Sequence, residues 1–258
     1  MTQNLLRRAV ISAAAFFLTA SGLGQASWER VSSFTFDWDG HKDVRVVLEI
    51  PQSWSDPGDF TRIRVLVPGQ KEFTLANREG WVKYGSEEAS ASPKMREGAN
   101  MFRSSYLLAL KIAENRTALF MLGYSYASSP GSLDVLEISE RGQPVVVLHR
   151  EELGLKDVRD LDGDGVAEII GYPCLSQEFG NGLLTYDPLN VYRLGTAPGA
   201  RASLSVPLSK SYNLKHYYGW AGAQCSEDFA VVLHPPNGGK PRVLTTKEAE
   251  RLTESTSK

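Results

Sequence analysis

Apolar and polar positions alternate along most of this chain in short runs broken by turn residues. "VRVVLEI" at 44–50 and "TRIRVLV" at 61–67 flank "SWSDPGD". "EFTLA", "WVKYG", "YLLALKI" and "TALFMLGYSYA" continue the pattern. From 133 to 150, "LDVLEIS", "ERGQ" and "PVVVLHR" read as strand, turn and strand. "LLTYD" and "NVYRLG" follow, and "FAVVLHP" and "PRVLTT" flank "PNGGK", where Asn237-Gly238-Gly239 supplies positive-φ residues for a hairpin. Period-2 runs at near-regular spacing predict a mainly β fold. Antiparallel hairpins in a propeller-like or sandwich arrangement are expected, with one or two short C-terminal helices.

Helical spacing is confined to the C-terminal third. In "LSKSYNLKHYYGWAGA", Leu214, Tyr217, Tyr218 and Ala221 fall on one helical face. In "TTKEAERLTE", Thr245 and Glu248 have the spacing of a capping box, predicting a terminal helix. The stretch 85–100, "GSEEASASPKMREGAN", has no period and many small or charged residues, and a long loop is expected there.

Between two β-forming runs lies "RDLDGDGVAEII", at 159–170. Asp160, Asp162, Asp164 and Glu168 crowd four carboxylates together, and a bound cation would offset their mutual repulsion. Counting Asp160 as the first position, side-chain oxygens fall at alternate positions through Asp164 and again at Glu168. Val166 would offer its backbone carbonyl. Gly163 and Gly165 permit the tight turn that gathers these oxygens. A set of hard oxygen donors suits Ca²⁺, which takes about six to eight with tolerant geometry. Mg²⁺ prefers to keep its waters, and zinc finds no histidine or cysteine in the loop. A helix-flanked EF-hand would need a glutamate where Gly171 stands. The bland alternative is a polar hairpin without metal.

The pattern "DLDGDGVAEII" resembles the integrin-α-type FG-GAP repeat, seen also in VCBS-like secreted bacterial proteins. The resemblance implies an acidic loop that joins two adjacent strands of a propeller blade and holds Ca²⁺. Residue by residue it implies Asp160, Asp162, Asp164 and Glu168 as side-chain ligands and Val166 as the carbonyl ligand. Glutamate in the last position departs from the commoner aspartate. Upstream, "FTFDWDGHKDVRVVLEI" keeps Asp37, Asp39, Gly40 and Asp43 but lacks the central GDG, and is read as a plain hairpin.

The N-terminus changes the setting. Arg7 and Arg8 precede an apolar run at 9–20, too short to span a bilayer, and Gly24-Gln25-Ala26 has the small residues of a cleavage site. A signal peptide over 1–26 is expected, followed by a single β-rich domain over 27–258 with the calcium-loop hairpin near 155–173. The expected location is secreted or periplasmic. No later apolar run is long enough to cross a membrane. Loss of two arginines with the leader leaves 26 basic against 30 acidic side chains. That balance argues against nucleic-acid binding. Cys174 and Cys225 are the two cysteines. In an oxidising compartment they are expected to pair, the alternative being two buried thiols.

Enzyme motifs are missing: no HExxH, GxSxG or phosphate-binding glycine loop occurs. Glu151 and Glu152 beside His149 read as a solvated turn. Tyr212, Tyr217, Tyr218 and Trp220 could form a platform for a carbohydrate or protein ligand, but the helical spacing of Leu214, Tyr217 and Tyr218 favours a core face, with Trp220 the member expected to point elsewhere. The expected role is therefore a non-catalytic structural or binding module. A secreted hydrolase whose paired carboxylates are not encoded by a motif is the alternative.

Overall fold

The first hairpin turns on Asp39 and Gly40, whose φ angles of 46° and 86° are both positive. That is the backbone a two-residue type I′ turn requires, and few residues besides Asn, Asp and Gly adopt it readily. The turn joins β1 (Trp28–Trp38) to β2 (His41–Pro51), with Trp38 opposite His41. The computed structural model describes residues 27–84, 104–127, 129–225 and 229–256. The leader expected at 1–26 and the loop expected at 85–100 lie outside the described residues.

The same antiparallel sheet continues through β3 (Phe60–Leu66) and β4 (Phe73–Val82). Next come β5 (Leu108–Ala113) and β6 (Arg116–Gly123), which pair with each other, then β7 (Leu133–Ile138) and β8 (Pro144–Arg150). β4 and β5 share one edge of β6, β5 along residues 116–120 and β4 along 122–123.

Central strands of this eight-stranded sheet are apolar on both faces and buried on both. Phe120 and Leu122 of β6 enter one core with Leu133 and Val135, whereas Leu119 and Met121 enter another with Val46, Ile63 and Trp81. The sheet curls so that its first hairpin reaches β6. Trp38 donates its indole N–H to the Thr117 carbonyl at 2.9 Å, and Thr117 N–H donates to Asp39 at 2.8 Å.

Two four-stranded antiparallel sheets follow. β9 (Gly154–Arg159) and β10 (Glu168–Tyr172) form the hairpin that carries the acidic loop. β11 (Glu178–Gly180) and β12 (Leu183–Thr185) begin a separate sheet. β13 (Asn190–Arg193) and β14 (Ser203–Leu204) return to the β9–β10 hairpin, in the order β14-β13-β10-β9. β15 (Ala230–Leu233) and β16 (Arg242–Thr245) complete the β11–β12 sheet. The mainly β, antiparallel expectation is met, and among the described residues no strand pairing closes a sheet into a barrel. Leu155, Ile169 and Tyr192 of the second sheet share the core of Phe120 and Val135, so those two sheets pack as layers.

Both expected helices form, one of them displaced. α1 runs over Val206–His216, starting at an N-cap, Ser205, and stopping before Tyr217, Tyr218 and Ala221. The displacement has a polar cause. The buried face of α1 presents Ser209, Tyr212 and Asn213, while Leu214 is exposed. Asn213 accepts from Leu189 N–H at 2.9 Å and donates to its carbonyl at 2.6 Å; Ser209 accepts from Val191 N–H at 2.9 Å. Hydrogen bonds to β13 and the residues before it thus dock α1, and apolar periodicity cannot register them. α2 (Thr246–Thr256) starts as expected: Thr245 N–H donates to the Glu248 carboxylate at 2.7 Å, and Glu248 N–H donates back to Thr245 Oγ1 at 3.3 Å. No described helix is long and apolar enough to cross a membrane.

Arg116 and Glu137, both buried, tie the large sheet to the segment after β13. Arg116 Nη2 reaches both Glu137 oxygens at 2.8 and 2.9 Å, and Nη1 donates to the Gly195 carbonyl at 2.8 Å. Gly199 N–H donates to Glu137 Oε2 at 3.0 Å. Arg116→Ala strands the carboxylate with the Gly199 N–H as its remaining donor. The expected loss is about 3–5 kcal/mol, read by chemical denaturation. Arg116→Lys should recover part of it, because an ammonium lacks the two-pronged geometry.

Candidate metal centre

The β9–β10 hairpin closes on Arg159 opposite Glu168, and residues 160–167 form its loop. Gly163 and Gly165 have φ angles of +80° and +86°, so the turn needs glycine at both. The aspartates are then used as backbone acceptors. Asp160 takes Gly163 N–H at 2.7 Å on one oxygen and Gly165 N–H at 3.0 Å on the other. Asp162 takes Asp164 N–H at 3.3 Å, and Asp164 takes Val166 N–H at 2.8 Å. At the inner end, Glu168 is 1% exposed and accepts Leu161 N–H at 2.8 Å. Ala167 N–H donates to the Ile112 carbonyl of β5 at 2.7 Å, and the half-buried Val166 packs against the core shared by the first two sheets. The loop is therefore anchored to the large sheet as well as to its own hairpin.

Asp160, Asp162 and Glu168 present carboxylate oxygens that all lie within 4.8 Å of one another. Asp164, the fourth expected ligand, stands outside this group, with one oxygen committed to Val166 N–H. Among the described residues this is the one cluster of its kind. The upstream Asp37 and Asp39 serve the hairpin instead, Asp37 accepting Asp43 N–H at 3.2 Å and Asp39 accepting Thr117 N–H. An all-oxygen donor set, two members exposed and one buried, fits a hard divalent cation.

Arg193, which carries no sequence signal, completes the cluster. Tyr192 of β13 pairs with Ile169 of β10, so Arg193 lies beside Glu168. Its guanidinium contacts the Asp162 carboxylate, and its Nε lies 3.8 Å from Glu168 Oε1. One side-chain cation thus offsets part of the carboxylate repulsion. Arg159, on the other flank, turns away to Asp157 at 2.5 Å and the Tyr212 hydroxyl at 3.2 Å. Burial pushes the Glu168 carboxyl above its usual range. The Leu161 N–H opposes that shift, and the charges of Asp164 and Asp160 add to it.

The other expected residues divide by location. Cys174 and Cys225 come to disulfide distance, with Cα atoms 6.4 Å apart. Tyr212, Tyr217 and Tyr218 pack inward and build no open platform: Tyr217 stacks on Tyr218 at 4.0 Å and donates to Asp187 at 2.9 Å. Glu151 and Glu152 are exposed just after β8, as expected of a turn, while His149, within β8, pairs with the buried Asp134 at 2.7 Å. Comparison with protein-family models, curated proteins and solved structures finds no match to this chain.

The Glu168 shift has a definite sign. Its folded carboxyl holds a proton to higher pH than the unfolded chain, whose value is 4.5. Without metal, its contribution to stability is present below pH 4.5 and is lost as pH rises through the higher folded value. In chelator, the stability difference between wild type and Glu168→Gln should therefore decline with rising pH across that window and then level. Denaturation curves at a series of pH values check it; a rising difference would show that the carboxylate is held charged.

Proposed function

We propose that this is an exported calcium-binding protein whose cation rigidifies the β9–β10 hairpin, in a non-catalytic structural or binding module of the periplasm or exterior. The convergence of Asp160, Asp162 and Glu168 on an anchored hairpin carries this reading. In it these three hold Ca²⁺, and Asp164 and the Val166 carbonyl are the further ligands implied by the FG-GAP-like loop. Export is supported by the leader-like stretch at 1–26 and by the cysteine pair at disulfide distance.

Arg193 sets the terms of binding. It already neutralises part of the charge that Ca²⁺ would meet, so metal and guanidinium compete for Asp162 and Glu168. The half-exposed Arg193 can swing to solvent when the metal arrives, which makes the competition modest.

Ca²⁺ raises stability by RT ln(1 + [Ca²⁺]/Kd) if it binds the folded hairpin alone. Extracellular modules bind at roughly 10⁻⁴–10⁻³ M. At ~1 mM Ca²⁺ the gain is then about 0.4–1.4 kcal/mol, a few degrees in melting temperature. Asp162→Ala should abolish the calcium-dependent shift. Asp164→Ala should retain part of it, and Asp37→Ala all of it. Arg193→Ala should enlarge it by removing the competing cation. Melting with Ca²⁺ and with chelator, together with calorimetric titration, decides the matter. Identical wild-type melting in both, with no binding heat, would leave the loop a polar turn.

A further inference from the structure

A second polar site lies away from the acidic loop, beneath an interruption in β4. Ala76 pairs with Arg62 and Trp81 with Phe60, so one residue of β3 faces four of β4 across that interval. Residues 77–80 bow out of the ladder around that one residue as an enlarged bulge. Gly80 turns it at φ +76°, where an added Cβ would meet the Gly58 Cα at 3.1 Å. The bulge is fixed from within and from below. Asn77 accepts Glu79 N–H at 2.9 Å and donates to Ser132 Oγ at 3.0 Å. Bulges of this kind commonly re-aim side chains beside binding sites.

Under the bulge is a cleft of about 230 Å³. Its floor is Asp134, 2% exposed and cross-strand partner of His149. Asp134 Oδ2 accepts the Trp81 indole N–H at 2.8 Å, and Oδ1 lies 2.7 Å from His149 Nδ1. A carboxylate is an acceptor alone, so Nδ1 carries the proton. In the neutral ring, Nε2 is then a bare acceptor. His149 is itself exposed, and among the described residues Nε2 has no protein partner. Burying a carboxylate to hold an exposed imidazole in one tautomer is costly as mere packing and useful for orienting a ligand contact.

The walls narrow the ligand class. Arg78 and Glu79 come from the bulge and Glu151 from beyond β8; all three are exposed, and none has a side-chain partner among the described residues. An anion would meet Glu79, Glu151 and Asp134, and a bare cation would meet Arg78. Neighbouring hydroxyls both donate and accept, so a neutral polyol can answer the carboxylates, the guanidinium and Nε2 together. Leu75 and Ala76 add a small apolar wall for a C–H face. The cleft is smaller than the ~300–1,000 Å³ of drug-sized pockets, which suits one sugar ring.

We propose that the cleft beneath the β4 bulge binds a single neutral saccharide residue, with His149 Nε2 accepting a hydroxyl proton. This site is separate from the acidic loop and does not depend on calcium. The test uses the full chain and ligand-detected NMR with the methyl glycosides of glucose, galactose, mannose and N-acetylglucosamine, beside glucuronic acid and glucosamine as charged counterparts. At least one neutral glycoside should bind at millimolar concentration, equally in Ca²⁺ and in chelator. His149→Gln, a change at an exposed side chain, should weaken it about three- to tenfold, the worth of one hydrogen bond. At a pH where the His149 ring is neutral, its nitrogen shifts should show Nδ1 protonated and Nε2 bare, and Nε2 should respond to the glycoside. Binding of no neutral glycoside, a preference for either charged sugar, or an unchanged affinity in His149→Gln would overturn the proposal.

Discussion

A carboxylate withdrawn from water must be met by donors or by a cation, and among the described residues five acidic side chains are buried: Glu49, Asp134, Glu137, Glu168 and Asp187. Each is answered by residues that the fold has to deliver. Arg62 and Arg64 of β3 hold Glu49 at 2.6 and 2.9 Å. Arg116 holds Glu137, and Trp81 with His149 holds Asp134. Ser176 and Tyr217 donate to Asp187, though among the described residues its other oxygen meets no protein donor, and burial pushes its pKa up. Glu168 has one backbone N–H at 2.8 Å and a more distant Arg193. Of the five, Glu168 belongs to a converging group of carboxylates, which is why its loop is the natural place for a metal.

That loop is not a free appendage. Ala167 hydrogen-bonds to β5, Val166 packs into the core shared by two sheets, and Leu161 packs toward α1 and β13. A cation drawing Asp160, Asp162 and Glu168 together would therefore stiffen the junction between the large sheet and the β9–β10 sheet. Both flanking arginines lie within reach of the same acids, yet one turns in and the other out. Arg193 contacts Asp162, while Arg159 is held by Asp157 and Tyr212. One guanidinium at the cluster leaves the remaining carboxylate charge for a metal to neutralise.

The cleft beneath the β4 bulge illustrates how a sheet builds a polar site without a motif. Asp134 and His149 meet because β7 and β8 are in register, and Asn77 reaches Ser132 because four residues of β4 occupy the space of one. Gly123 helps: a Cβ there would meet Ser132 N and Oγ at 2.4 Å, so glycine permits the close approach. Residues far apart in the chain thus share a small volume.

Much of this protein is local and was legible in the amino-acid order. Alternation identified most strands, Asp39-Gly40 marked a hairpin, Thr245 and Glu248 capped α2, and "DLDGDGVAE" exposed the acidic loop. Those features depend on neighbours within a few positions, where periodicity and turn chemistry act. The two- and three-residue strands β14 and β11 were too short to show a period, and α1 was misplaced because it docks through Ser209 and Asn213. Only the tertiary structure decided that Arg193 joins the acidic cluster, that Asp164 stands aside from it, and that His149 has a buried partner. Cross-strand partners are set by register, and register is chosen by which faces must be buried together. That choice belongs to the packed whole, so no single stretch of sequence can express it.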